Sequence, residues 1–253
     1  RHKSNHIQVV YAPDQETATK ALAAKAAMFE ALGVKVHLTG DVDLSDDLLV
    51  NVDAFQLNEG ANLTLTTTQF LDVGEAGFTS NDPTTNPKED IFLTDYLGEE
   101  IDSSAVGEGI RIAEISVADT GGLVQVHPDT DLSNVKKIVI PVGTTLEMTA
   151  DQFEAFVGGT VAGNFAGGGT LNLTEFDSDN GGVDLDTGAA GVEGGIIFLD
   201  PAAAKILVDG DATLDGFDIA FTAAGQQLTL SSEAQITDRV IDGGGFADTT
   251  LLL

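Results

Sequence analysis

The chain has 253 residues, enough for one large or two small domains, and 42% of them are hydrophobic, which excludes a disordered protein. Acidic residues outnumber basic ones by 41 to 11, and the net charge of −30 argues against nucleic acids and anionic membrane surfaces as partners. Cysteine is absent, which excludes zinc fingers, iron–sulfur clusters and thiol catalysis. The acidity favours a solvated surface in salt water or an exposed location, and no apolar run is long enough to span a membrane.

Residues 1–40 predict a small β–α–β segment at the N-terminus. Residues 7–12 form a short apolar run, after which Pro13 and Asp14 provide a turn and a helix cap. Apolar residues recur at helical spacing between residues 15 and 32, and Gly33 is placed to end that helix. Residues 34–38 then alternate as a strand does. Because this segment has no glycine-rich phosphate loop, we expect it to be a structural cap.

Residues 41–253 predict a repetitive, mainly β domain. Short apolar runs alternate with Gly, Asp, Asn and Thr, which are common in turns. The candidate strands are residues 49–57, 62–67, 109–117, 122–127, 136–140, 144–149, 170–176, 195–199, 204–208, 217–221 and 227–231. Residues 81–88 are predicted to form a loop.

One motif returns three times in this domain at nearly constant spacing. Its first residues are Leu63, Leu146 and Leu228, which are 83 and 82 positions apart. A glycine precedes each leucine by three positions, at Gly60, Gly143 and Gly225. The repeats therefore lie near residues 52–73, 135–156 and 217–238. A unit of this size cannot bury its apolar face alone, so stacked copies in a β-solenoid, or a row of tandem β units, are expected.

In the first two copies, a short helical turn is predicted directly after the second strand. Threonine and glutamine stand three positions apart there, the spacing of a capping box. The pairs are Thr66 with Gln69 and Thr149 with Gln152. Phe70 and Phe153 follow the glutamines and are expected to fill the core from these turns.

The segments LTLTTTQF (63–70), LEMTADQF (146–153) and GGTLNLT (168–174) resemble repeats of large bacterial secreted and cell-surface proteins, such as adhesins and surface-layer-like proteins. The resemblance implies an extracellular structural or adhesive protein that self-assembles, or forms part of a surface layer or filament, with copies of itself or other surface components. A bacteriophage fibre or capsid-associated protein is the alternative. The terminal strand around residues 249–253 is expected to pair with a neighbouring subunit.

Calcium is the ligand that the sequence predicts best. In residues 177–182, Asp177 and Asp179 occupy positions one and three, and glycine occupies position six, as in an EF-hand loop. Asp184 and Asp186 follow closely and could supply further oxygens, but the glutamate of position twelve is replaced by Gly188. An ordinary acidic turn is the alternative interpretation. Weaker candidates are the pairs Asp41 with Asp43 and Asp209 with Asp211.

Catalytic motifs are weaker still, and we expect that the chain is not an enzyme. The glycine clusters lack the Lys and Ser or Thr of a phosphate loop. The histidines form no metal-spaced pair on a helix; they are His2, His6, His37 and His127. A polysaccharide-degrading β-helix is the remaining alternative, because such enzymes use paired carboxylates, of which Asp215 and Asp218 are one example.

Overall fold

The computed structural model describes residues 8–12, 14–18, 20, 34–49, 52–83, 89–158, 162–177, 193–208, 216–230 and 240–252. The chain is mainly β and forms a β-solenoid of about eight turns, which confirms the predicted fold class. Every pairing between the strands that the structure describes is parallel, as expected when each coil lays a strand beside its equivalent in the previous coil.

The strands that the structure describes form four sheets. The first sheet contains, in order, β1 (Gln8–Ala12), β2 (Val34–Leu38), β4 (Val52–Leu57) and β6 (Phe78–Ser80). The second contains β3 (Val42–Asp43), β5 (Asn62–Thr66), β7 (Glu89–Tyr96), β8 (Ile110–Val117), β10 (Lys137–Val139) and β12 (Asn164–Ala166). The third contains β9 (Leu123–Gln125), β11 (Thr145–Thr149), β13 (Thr170–Phe176), β14 (Glu193–Leu199), β16 (Asp218–Ala220) and β18 (Ile241–Asp242). The fourth contains β15 (Lys205–Val208), β17 (Gln227–Leu230) and β19 (Thr250–Leu252).

Among the described residues, helices are few and short. Helix α1 (Thr67–Val73) follows β5, a 3₁₀ helix spans Glu75–Gly77, and α2 (Ala150–Val157) follows β11. Residues 15–18 and 20 are also helical, at the start of the helix predicted for residues 15–32, most of which lies outside the described residues. The side chain of Gln15 exchanges hydrogen bonds with the backbone of Asp43 in β3, which ties this helical turn to the second sheet.

The core consists of ladders of inward side chains that stack from coil to coil. Leu63 lies beside Ile91 in the second sheet, Ile91 lies beside Ile112, and all three are fully buried. Leu146 and Leu171 form the equivalent step in the third sheet. Because parallel strands in register place the same inward position of each coil in line, alternating apolar residues produce one continuous core.

The three repeat glycines occupy equivalent corners of the solenoid. Gly60, Gly143 and Gly225 have φ values of 72°, 87° and 76°, which L-residues with a side chain rarely adopt. Gly143 is the third residue of a turn closed by the Thr144 N–H and the Pro141 carbonyl at 3.0 Å, the pattern of a type II turn. Each corner links one sheet to the next, joining β4 to β5, β10 to β11 and β16 to β17.

Both predicted capping boxes are present. Thr149 Oγ1 accepts the Gln152 N–H at 3.1 Å, and Gln152 Oε1 accepts the Thr149 N–H at 3.1 Å. Thr66 and Gln69 make the same pair of bonds at the start of α1. The threonine and glutamine therefore satisfy each other's backbone groups and start each helix directly where its strand ends.

The predicted phenylalanine plugs are also confirmed. Phe70 of α1 is fully buried and stacks on Phe78 of β6 with ring centroids 4.7 Å apart. Phe153 of α2 is 3% exposed and stacks on Phe165 of β12 at 5.9 Å. Each helix thus packs its aromatic face on the strand that opens the following coil.

The structure contains a further repeated feature, a bulge near the end of β7 and of β13. Asp95 and Glu175 both have φ of 57°, and the pairing register shifts beside each of them. The extra residue turns the next side chain, Tyr96 or Phe176, into the core, where both are buried.

All eleven candidate strands of the repetitive domain overlap an observed strand, and β19 lies within the expected terminal strand. The sequence pattern does not predict β3, β6, β7, β12 or β18. The part of the predicted loop that the structure describes, residues 81–83, contains no strand or helix, and residues 84–88 lie outside the described residues.

Candidate functional surfaces

The predicted calcium site falls mostly outside the residues that the structure describes. Asp177 directly follows β13 and is partly buried. Asp179, Asp184 and Asp186 lie in the part of the chain that is not described, so the calcium site stays a prediction. In the other predicted carboxylate pair, Asp218 Oδ1 accepts the Val240 N–H at 3.0 Å, while Asp215 lies outside the described residues.

The outward face of the second sheet carries a row of polar side chains interrupted by one aromatic ring. Thr64 of β5, Phe92 of β7 and Glu114 of β8 are register neighbours, and Lys137 of β10 pairs with Glu114. Two open cavities of about 730 and 330 Å³ lie along this row, and the side chain of Phe92 lines both. We call this surface the second-sheet groove.

One end of the second-sheet groove is acidic. Four aspartates line it, namely Asp41, Asp43, Asp46 and Asp47. Two of them also organise the backbone: Asp41 Oδ1 accepts the N–H and the side-chain amide of Asn62, at 3.1 and 2.9 Å, and Asp43 Oδ1 accepts the N–H and hydroxyl of Ser45, at 3.0 and 2.6 Å. The weaker calcium candidates Asp41 and Asp43 therefore have structural hydrogen bonds, which also explain why aspartate occurs at these turns.

The other end of the groove holds opposite charges in pairs. Arg111 forms a two-point contact with Asp90, with Nε and Nη2 at 2.5 and 3.1 Å from the two carboxylate oxygens. The hydrogen bond to Asp90 raises the pKa of Arg111. Lys137 pairs with Glu114 in the next two strands. This end therefore offers hydrogen-bonding groups with little net charge.

The final described strands, β18 and β19, each have one edge that pairs with no other described strand, and apolar side chains lie around them. Among the described strands, β19 pairs only with β17, and β18 only with β16. The Thr250 N–H donates to the Gln226 carbonyl at 2.9 Å, so the N–H of the next residue, Leu251, faces away from β17. Val240, Phe246 and Leu252 are 62%, 42% and 42% exposed. We call β18, β19 and these three side chains the terminal edge.

The structure also brings together three side chains that could hold a metal ion and that are far apart in the sequence. The ligand atoms of Glu100, His127 and Asp129 lie within 4.8 Å of one another. Glu100 precedes His127 by most of a coil, so no local spacing indicates their proximity; only the His-x-Asp pair could have drawn attention from sequence.

A buried tyrosine lies beneath the turn that carries His127. Burial raises the pKa of Tyr96, and the nearby Thr130 side chain and His127 backbone offset this effect only in part. Within the described part of the chain, the Tyr96 hydroxyl makes no hydrogen bond of normal geometry. This turn therefore has a buried tyrosine hydroxyl on its inner side and the Glu100, His127 and Asp129 side chains on its outer side.

The chain matches no protein-family model, and no curated protein or solved structure shows significant similarity to it. Among the helices that the structure describes, none is both long and apolar enough to cross a membrane.

Proposed function

We propose that this chain is a structural or adhesive repeat protein that acts outside the cell, or in a virion, and assembles by adding copies of itself end to end. The terminal edge is the observation that carries the proposal. The outward N–H of Leu251 can pair with a strand of a second molecule, just as each coil pairs with the one before it. Val240, Phe246 and Leu252 would then be covered by the added molecule.

The distribution of charge supports a head-to-tail arrangement. Residues 1–40 hold five of the 11 basic residues but only three of the 41 acidic ones, so the start of the chain is positively charged and the rest strongly negative. Contact between the first coil of one molecule and the last coil of another joins opposite charges. It also continues the parallel strand direction, which contact between two identical ends would reverse.

Proline at position 251 tests this assembly. Because the Leu251 N–H faces away from β17, Leu251→Pro removes an edge donor while leaving the Thr250–Gln226 bond in place. We expect the wild-type protein to form larger species as its concentration rises in sedimentation velocity experiments, and the proline variant to remain monomeric with a similar thermal melt.

Leu251→Val is the matched control, because it keeps both the N–H and an apolar side chain at this position. It should assemble as the wild-type protein does. Assembly of the proline variant at wild-type concentrations would refute the terminal edge as the contact surface, and a wild-type protein that stays monomeric at all concentrations would refute self-assembly.

A second candidate function is the binding or cleavage of a polysaccharide in the second-sheet groove. Phe92 favours this function, because its side chain lines both cavities and an aromatic ring flanked by hydrogen-bonding groups suits the apolar face of a sugar. The aspartates at one end would repel anionic polymers, so a neutral polysaccharide is the better ligand.

Affinity electrophoresis tests the groove. A neutral β-glucan in the gel should retard the wild-type protein, alginate should not, and Phe92→Ala should lose the retardation. Release of oligosaccharides in solution would add hydrolysis to binding. Equal retardation of the wild-type protein and the Phe92→Ala variant would show that the groove is not the binding surface.

A further inference from the structure

The cluster of Glu100, His127 and Asp129 is built from two successive coils. Glu100 lies in the segment after β7, whereas His127 and Asp129 lie in the turn between β9 and β10. His127 Nδ1 is 3.9 Å from Glu100 Oε2 and 3.9 Å from Asp129 Oδ2. The side chains of Glu100, His127 and Asp129 are 61%, 41% and 76% exposed, respectively, so an ion can reach them directly from solvent.

The turn that carries His127 and Asp129 is fixed from inside. The Thr130 N–H donates to the His127 carbonyl at 3.0 Å, which closes the turn. The buried amide of Gln152 donates to the same carbonyl at 2.7 Å and lies 3.3 Å from the Pro128 carbonyl. Proline also restricts φ at the second position of the turn. The backbone beneath the two ligands is therefore held before any ion binds.

Thr130 fixes the position of Glu100 relative to this turn. Its hydroxyl donates to the Glu99 carbonyl at 3.2 Å and accepts the Ile101 N–H at 3.3 Å. These peptide groups flank Glu100 on both sides. Glu100 is therefore attached to the same turn as His127 and Asp129, and only side-chain rotation is needed to adjust the three ligand atoms.

The tautomer of His127 suits metal binding. The backbone N–H of Asp129 points at His127 Nδ1 over 3.3 Å, and because an amide can only donate, Nδ1 is the unprotonated nitrogen of the neutral ring. The carboxylates of Glu100 and Asp129 lie on the side of the ring that carries this lone pair. The long contact to the N–H is a weak one that an ion can replace.

From this arrangement we propose that Glu100, His127 and Asp129 bind one divalent transition-metal ion, with Zn²⁺ as the best match. Two carboxylates balance the charge of the ion, and one imidazole with two carboxylates leaves a fourth position for water, as in three-ligand zinc sites. Ligand atoms around tetrahedral zinc are about 3.3 Å apart, so the two 3.9 Å separations from His127 and the third separation, which is at most 4.8 Å, must shorten by side-chain rotation when the ion binds. Imidazole favours zinc, cobalt and nickel over calcium and magnesium.

Binding would join two coils of the solenoid. Glu100 belongs to one coil and the His127 turn to the next, so an ion held by both stabilises their contact, by an amount that grows with the logarithm of the ion concentration relative to its dissociation constant. The site shares no residue with the terminal edge or with the predicted calcium site, and its metal preference differs from that of the calcium site.

Isothermal titration of the full chain with ZnCl₂, together with the visible absorption spectrum of added Co²⁺, tests the site. We expect one zinc ion per chain, cobalt bands typical of a protein-bound ion, and a higher melting temperature with zinc. Glu100→Gln, His127→Gln and Asp129→Asn should each weaken zinc binding at least about tenfold, since even outer-shell losses at metal sites cost 10- to 100-fold.

Two control variants distinguish this site from zinc binding by other carboxylate and histidine side chains of the chain. Glu108→Gln removes an exposed carboxylate elsewhere and should leave zinc binding unchanged, as should the double variant His2→Gln/His6→Gln, which removes the histidines nearest the N-terminus. All variants should melt as the wild-type protein does without metal. The proposal is overturned if the wild-type protein binds no zinc, if His127→Gln binds it as tightly as the wild type, or if calcium binds the site equally well.

Discussion

At the scale of single residues, one glutamine in each repeat links two coils. The amide of Gln152 donates to carbonyls of the turn at residues 127–130, about one coil earlier. Gln69 donates in the same way to the Leu44 and Asp47 carbonyls at 2.8 and 2.6 Å. In the third repeat, Gln226 before β17 donates to the Asp200 and Ala203 carbonyls.

The sequence predicted only half of this role. The threonine–glutamine spacing is a local signal, and it identified the capping boxes correctly. The contact with the preceding coil depends on which loop lies beneath the helix, and that is determined by the length of the coil. For the same reason, no spacing could place Glu100 beside His127.

Gln152→Glu separates the two roles. The carboxylate can still accept the Thr149 N–H, but it loses the donors for the turn carbonyls and places negative charge against them. Because Gln152 is only 7% exposed, we expect the variant to lose about 2–3 kcal/mol of unfolding free energy in urea denaturation. The matched control is Gln56→Glu, because the side-chain amide of Gln56 donates an exposed hydrogen bond to Asn81. Its free energy of unfolding should stay within about 0.5 kcal/mol of the wild-type value. Equal losses in the two variants would contradict this role.

At the scale of elements, alternation identified the strands wherever it was uninterrupted. Strand β7 was missed although it has eight residues, because its inward positions do not follow a simple pattern. Its first inward residue is Glu89, which is fully buried and makes no hydrogen bond through its carboxylate within the described residues. Near its other end, the bulge at Asp95 shifts the alternation by one residue before Tyr96.

The other strands that escaped prediction are short. Strands β3 and β18 have two residues and β6 and β12 have three, too few for a period of two to be recognised. They exist because neighbouring coils supply their hydrogen bonds, so pairing rather than local propensity creates them. The helices differ from these strands, because each helix has its start signal in the local sequence: the N-cap residues Thr66 and Thr149.

At the scale of the whole molecule, the sequence repeat and the coil have different lengths. Val36 pairs with Phe55, 19 positions later, and Leu63 pairs with Ile91, 28 positions later. A repeat of 82–83 residues therefore spans between three and four coils of average length. Each repeat consequently ends one sheet further along, which explains why the same motif joins the first and second, then the second and third, then the third and fourth sheets.

The number of coils per repeat could not be predicted from the sequence. The repeats predicted stacking because strand, glycine and leucine keep the same spacing in each copy. A connection of any length that returns the chain to the next coil is compatible with that spacing. Coil length depends on the loops, whose residues carry weak signals. The sequence thus predicted a solenoid and its corners, while the order of strands in the sheets required the structure.

The net charge of −30 determines how this solenoid responds to ions. Aspartates are needed at the turns, where Asp102 and Asp131 accept hydrogen bonds from residues two positions later, so the acidity follows partly from the architecture. Repulsion between these charges opposes the compact state and is screened by any salt. A rise in melting temperature with calcium alone therefore does not identify a site.

We predict that millimolar CaCl₂ raises the melting temperature by a few degrees more than NaCl of equal ionic strength, because a filled site at about 100 times its dissociation constant adds about 2.7 kcal/mol. Asp179→Asn/Asp184→Asn should abolish this excess while keeping the response to NaCl. His127→Gln should keep both responses, since its zinc site is separate. If the double aspartate variant responds to calcium as the wild-type protein does, residues 177–186 form an ordinary acidic turn and calcium acts only by screening.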